Sequence, residues 1–137
     1  MSDPWSPAHL TKPQPGDVID GWVVLAYPPT VNKMYYWQRG RPVLTDEARE
    51  WRARAVWCAQ YSGIFTKLTG PVSIHIRVYR PRKRGDLDNV AKAILDSLNR
   101  IAWIDDSQVV ELIMRRYDDK TNPRVLVKVA SVQNADS

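Results

Sequence analysis

The chain has 137 residues, enough for one domain with a real core, and its 44% hydrophobic and 26% charged content is that of a globular protein. No apolar run approaches the roughly 18 residues of a membrane span, and the opening Met-Ser-Asp-Pro-Trp lacks the charged and apolar regions of a secretory leader. A net charge of +5 and a pI near 9.5 are compatible with a polyanionic partner but do not require one. The single cysteine, Cys58, excludes an intrachain disulfide, and together these features predict a cytoplasmic protein.

Residues 1–16 carry Pro4, Pro7, Pro13 and Pro15, which fix φ and remove donors, so they read as an irregular arm. Val18 to Ala26 is β-branched and apolar and reads as a first strand, ended by Tyr27-Pro28-Pro29. A polar loop with Asn32, Tyr35, Tyr36, Arg39, Gly40 and Arg41 follows. Thr45 before Asp46 and Glu47 is an N-cap followed by acids suited to a helix dipole, and the spacing of Ala48, Trp51, Ala55, Cys58 and Ala59 predicts a helix from about Asp46 to Leu68. An interruption is expected near Gly63, and Gly70-Pro71 is the stop.

Val72 to Tyr79 alternates cleanly: Val72, Ile74, Ile76 and Val78 on one side, Ser73, His75, Arg77 and Tyr79 on the other. After a basic turn, Leu87, Val90, Ala91, Ile94, Leu95 and Leu98 share a helical face. Val109 to Tyr117 and Arg124 to Ala130 are β-rich and read as a hairpin with a longish loop. The order β-α-β-α-β-β predicts an α+β fold: one compact domain over residues 17–131, a mixed sheet covered by two main helices, and a frayed tail at 132–137.

The chemistry concentrates at residues 80–89. Asp86 and Asp88, two apart, project to one side of an extended segment and can reach one point, while Leu87 faces the core. Paired carboxylates raise each other's pKa unless a cation neutralises them, and Mg²⁺ or Mn²⁺ is the hard, oxygen-seeking candidate. A second acidic pair, Asp105-Asp106, precedes the next strand. If the two central strands lie side by side, that turn is expected near Asp86 and Asp88. Lys92 follows Asp88 by one helical turn and could offset charge on a phosphodiester in its transition state. Arg80, Arg82, Lys83 and Arg84 are the densest cationic cluster and the candidate phosphate contacts.

Each signal has a plainer reading. Asp86 or Asp88 could cap the helix, Asp105-Asp106 could be an ordinary turn, and Asp88–Lys92 a solvated pair worth a few tenths of a kcal/mol. Asp96 and Asn99 are expected on the exposed face of their helix. His75 suits the solvent side of its strand, and Cys58 the core.

The pattern R-x-D-L-D-N-x-x-K followed by W-I-D-D-S-Q-V-V resembles the RusA-type Holliday junction resolvases of bacteria and phages, a likeness that continues upstream in Tyr27-Pro28-Pro29-Thr30-Val31-Asn32 and Tyr35-Tyr36. The resemblance implies a homodimeric α+β endodeoxyribonuclease that uses Mg²⁺ or Mn²⁺ to place paired nicks across a four-way DNA junction. It puts the catalytic, metal-holding aspartates on Asp86, Asp88 and Asp106 and the helix lysine on Lys92. Asn89, Gln108 and Asn32 fall on motif positions with supporting roles. Gly85 departs from relatives that carry another arginine there, and the proline-rich arm has no counterpart. A twofold dimer suits the task independently, since two symmetric cuts need two symmetric sites. The alternatives are a nuclease for forks or flaps and a non-catalytic junction-binding protein.

Overall fold

A computed structural model describes residues 12–132 apart from 82–86; of residues 31 and 32 it describes the backbone alone. Seven strands and three helices follow one another as β1 (Val18–Ile19), β2 (Trp22–Ala26), α1 (Val31–Met34), β3 (Tyr35–Gln38), β4 (Arg41–Leu44), α2 (Asp46–Ser62), β5 (Val72–Arg80), α3 (Leu87–Leu98), β6 (Val109–Asp118) and β7 (Arg124–Ser131). Five strands form a mixed sheet in the order β1-β2-β7-β5-β6, and β3 pairs with β4 apart from it. The expected α+β architecture of a mixed sheet and two main helices is what the chain adopts.

The segment from Val18 to Ala26 is two strands rather than one. Ile19 pairs with Trp22 across Asp20-Gly21, whose φ angles of 50° and 84° make the tight turn whose twist matches a hairpin. Asp-Gly is the strongest short-range hairpin signal in a sequence, and it was masked by the apolar residues around it. The polar loop is a hairpin as well: Gln38 pairs with Arg41, and Arg39 and Gly40 hold φ of 52° and 73°. Helix α2 starts where expected, with the Thr45 hydroxyl accepting from the Ala48 amide at 3.1 Å. It ends six residues early, because Gly63 takes the left-handed conformation (φ 70°) and its amide turns back to Gln60.

The largest correction concerns the last two strands, which do not form a hairpin. β6 lies parallel to β5 (Val72↔Val109 to Arg80↔Asp118), while β7 crosses over to pair antiparallel with both β5 and β2. β5 is therefore an interior strand, between β7 and β6, and α3 is the crossover that parallel neighbours require.

Burial follows this topology. Val23, Leu25, Ile74, Ile76, Val78, Val125 and Val127 line the face under the helices, packed against Trp51, Ala55, Cys58, Ile94, Leu98 and Trp103. Leu87 joins this cluster, as its expected inward direction requires. The other face carries a smaller cluster of Trp22, Val24, Tyr79 and Leu126, with the Arg77 guanidinium 4.6 Å from the Trp22 ring and His75 edge-on to it. Thus His75 does sit on the outer face. Of the proline-rich arm, Pro13 is buried, its carbonyl accepting from the Asn122 amide group, and the Gly16 amide donates to Val24. No helix among the described residues is long and apolar enough to cross a membrane.

Candidate metal and nucleic-acid site

The strand directions give the sheet two distinct edges. The C-terminal ends of β2, β5 and β6 (Ala26, Arg80, Asp118) gather at one edge, here the upper; Trp22, Val72 and Val109 mark the lower. Chain leaving Arg80 at the upper edge enters α3, which must return to the lower edge to deliver Val109 beside Val72.

Asp88 lies exposed in the first turn of α3, where a carboxylate suits the helix dipole, and Lys92 is exposed one turn later. No ion pair joins them among the described residues. Asn89, beside Asp88, is half-buried. Asp86, Arg82, Lys83 and Arg84 fall outside the described residues, as does the side chain of Asn32, whose backbone belongs to the single turn of α1. Asp96 is on the outer face of α3, 4.0 Å from the Arg52 guanidinium, and Asn99 is half-buried.

Arg80 is not a free phosphate contact. It is 6% exposed, and its Nη2 and Nε donate to the Asp118 carboxylate at 3.1 and 3.3 Å, tying β5 to β6. An inward-facing position at the end of an interior strand gave it a partner before any ligand could. Its charge also opposes the rise that burial imposes on the Tyr27 phenol.

The second acidic pair divides its labour. Asp105 caps a 3₁₀ turn over Asp106–Gln108, accepting from the Ser107 amide at 2.9 Å; the bonds from Ser107 hold its carboxyl below the ordinary range. Gln108 completes a capping box by accepting from the amides of Ile104 and Asp105, and its own Nε2 donates to the carbonyls of Leu68 and Gly70, each at 2.8 Å. Gln108 thus ties the turn to the segment that leads into β5. Asp106 is exposed, with Oδ1 accepting from the buried Trp103 indole at 2.9 Å and no protein donor on Oδ2 among the described residues.

The expected closeness of this turn to Asp88 does not hold within one chain. The turn is tied to Leu68 and Gly70 at the lower edge, and Asp88 stands at the start of α3, about 15 Å of helix from Leu98. Lying side by side in a parallel pair sends the connecting helix from one edge to the other, so its ends cannot meet. Among the described residues no group of three His, Cys, Asp or Glu could hold a metal.

Sequence reasoning overlooked one feature. The β3–β4 hairpin springs from the upper edge, its base closed by the Thr45 amide on the Met34 carbonyl and the Thr45 hydroxyl on Lys33. It carries Tyr36 (45% exposed), Trp37 (73% exposed) and the exposed Arg39 and Arg41. The alternation of Tyr-Tyr-Trp with Arg-Gly at a turn was the available signal.

Exposed carboxylates on a helix start and a capped turn, with a cationic aromatic hairpin at one sheet edge, define a class: small α+β proteins equipped for phosphate chemistry on nucleic acid. The comparison with known families is more specific. The family model described as endodeoxyribonuclease RusA matches residues 26–130. Over 91 residues (65% of this chain and 76% of each relative), the chain is 36% identical to the crossover junction endodeoxyribonuclease rusA of Enterobacteria phage 82. It is 35% identical to those of Shigella sonnei and Escherichia coli K12 over the same extent. The chain belongs to the RusA endodeoxyribonuclease family.

Proposed function

We propose that this protein resolves four-way DNA junctions by paired, divalent-metal-dependent phosphodiester hydrolysis. The observation that carries the reading is the family match across residues 26–130, which contains both D-L-D-N and D-D-S-Q-V-V, to relatives named as crossover junction endodeoxyribonucleases. Fork or flap cleavage has no observation in its favour beyond the same residues.

In this reading the protein is a homodimer in which Asp86 and Asp88 of one protomer and Asp106 of the other hold Mg²⁺ or Mn²⁺, since α3 keeps Asp88 and Asp106 of the same chain apart. The donor set fits: carboxylate oxygen is what hard divalent cations select. Asp88 is exposed, and Asp106 has one oxygen oriented by Trp103 and the other open to a ligand. Asp105, spent on capping, does not compete for that role. When bound, the ion lowers the pKa of water and stabilises charge on the leaving oxygen. Lys92 offsets charge on the phosphate from the same helix face as Asp88. Arg82, Lys83 and Arg84 position the DNA backbone, joined by Arg39, Arg41 and Trp37 of the hairpin.

The test is a labelled synthetic four-way junction incubated with and without Mg²⁺, cuts being mapped on all four strands. Symmetric paired nicks that require Mg²⁺ are the expected result. Asp88→Asn should lower cleavage by more than roughly 100-fold, beyond the loss typical of an outer-sphere metal partner, while junction binding persists. Full cleavage by that variant, or cuts confined to one strand, would overturn the proposal.

A further inference from the structure

The β3–β4 hairpin holds a tryptophan where no core can use it. Its register pairs Tyr35 with Leu44, Trp37 with Pro42 and Gln38 with Arg41. Opposed residues share a face and side chains alternate along a strand, so Tyr35, Trp37, Pro42 and Leu44 lie together. At the base, Tyr35 and Leu44 pack against the core. Toward the turn the same face continues into solvent as Trp37, 73% exposed, and the exposed Pro42. Tyr36, on the opposite face, interacts with Arg49 of α2.

Pro42 has a defined part in this. Gln38 and Arg41 flank a two-residue turn and form its hydrogen-bonded pair, so the next pair, Trp37 and Pro42, is of the closer, non-bonded kind. The proline therefore costs the ladder nothing, and its ring backs the indole from directly across. It also removes a donor from the outer side of β4, which discourages a protein strand from adding there. The hairpin thus presents a flat apolar plate bordered by Arg39 and Arg41, and residues 35–44 contain no acid.

Such a plate fits the face of a base with phosphates beside it. In continuous duplex every base face is covered by its neighbour. Where four arms meet, strands change helices, and the base pairs bordering the exchange point can be uncovered on one side at least cost. We infer that Trp37, backed by Pro42, stacks on a base pair bordering the exchange point of a four-way junction and thereby separates junction from linear duplex. The inference rests on the junction-nuclease reading and adds a source of selectivity to it. Arg39 and Arg41 meet phosphates that both DNAs carry, so they supply affinity without selectivity.

Gel-shift titrations of the full chain without divalent metal test it, with a four-way junction set against a linear duplex of matched length and sequence. Trp37→Ala should weaken junction binding about tenfold, the loss of one base–aromatic stack, and leave duplex binding unchanged. Trp37→Phe, which keeps a ring, should recover most of the preference. Arg39→Ala should weaken binding to both DNAs alike and reduce the salt slope by about one, a slope that Trp37→Ala leaves as it is. Thermal melts matching wild type exclude unfolding as the cause.

For Trp37→Ala, equal losses on both DNAs would overturn the assignment, because the ring would then be a general contact. No loss on either would also overturn it and would point to a protein partner for the hairpin. The underlying reading fails separately. A wild type that cuts no junction in Mg²⁺ refutes the nuclease, whereas a wild type that cuts while Trp37→Ala keeps its junction preference refutes the stacking alone.

Discussion

Arg124 is an arginine with 1% exposure, a rare state for a group that keeps its charge. Its guanidinium stacks 3.8 Å from the Tyr79 ring, and Nη1 donates to Asp119 at 2.9 Å and to the Asn122 carbonyl at 2.8 Å. Burial alone would raise the Asp119 pKa, but bonds from Arg124, Thr121 and Asn122 carry it below the ordinary 3.8. A carboxylate depressed in the folded state stabilises above its unfolded pKa, and that contribution is lost as pH falls through the folded value. Asp119→Asn should therefore be less stable than wild type at pH 7, the gap closing below pH 3.8, as measured by urea unfolding across the acid range. A gap that stays constant with pH would mean Asp119 acts only through its turn geometry. Neither this loop nor the Arg80–Asp118 tie was legible in the sequence, because both depend on which strand ends meet. The capping box at Asp105 and Gln108 was legible: D-x-x-Q before an apolar run spells it, and the acids drew attention away from the glutamine.

Among the elements, the hairpin β3–β4 most changes the picture of the surface. Four residues of extended chain make each of its arms about 13 Å long, rooted where Thr45 bonds Met34 and Lys33. Trp37 has no core to fill there. Replacing it with alanine should weaken four-way junction binding by roughly tenfold, the lower range for one lost base–aromatic stack, with the melting temperature unchanged. Gel-shift titration without divalent metal reads the affinity; unchanged binding would leave the hairpin out of the interface. Helices α2 and α3 could be placed from periodicity and caps, since both signals are local. The hairpins were overlooked because the apolar flanks of Asp20-Gly21 read as one strand and the polar flanks of Arg39-Gly40 as one loop, although each pair is itself a turn signal. The pairing of β6 with β5 rather than β7 has no local signal at all.

At the scale of the molecule, Arg39 and Arg41 place positive charge on the β3–β4 hairpin, and Arg77 and Arg115 place it on the outer sheet face. Neutralising about four phosphates should cost roughly a hundredfold in junction affinity between about 50 and about 200 mM salt. A titration with little salt dependence would argue that shape, not charge, dominates binding.

The sequence by itself determined the α+β class, both long helices, the alternating strand and, through D-L-D-N and D-D-S-Q-V-V, the family. These are carried by local periodicity, by capping chemistry and by residues close together in the chain. Only the tertiary structure decided that Arg80 is a strand tie, that β6 is an exposed edge, and that Asp88 and Asp106 stand apart. The reason is the crossover: parallel strands need a connection that runs the length of the sheet. Two aspartates at its two ends, neighbours in a motif, are thereby held at opposite edges of the same fold.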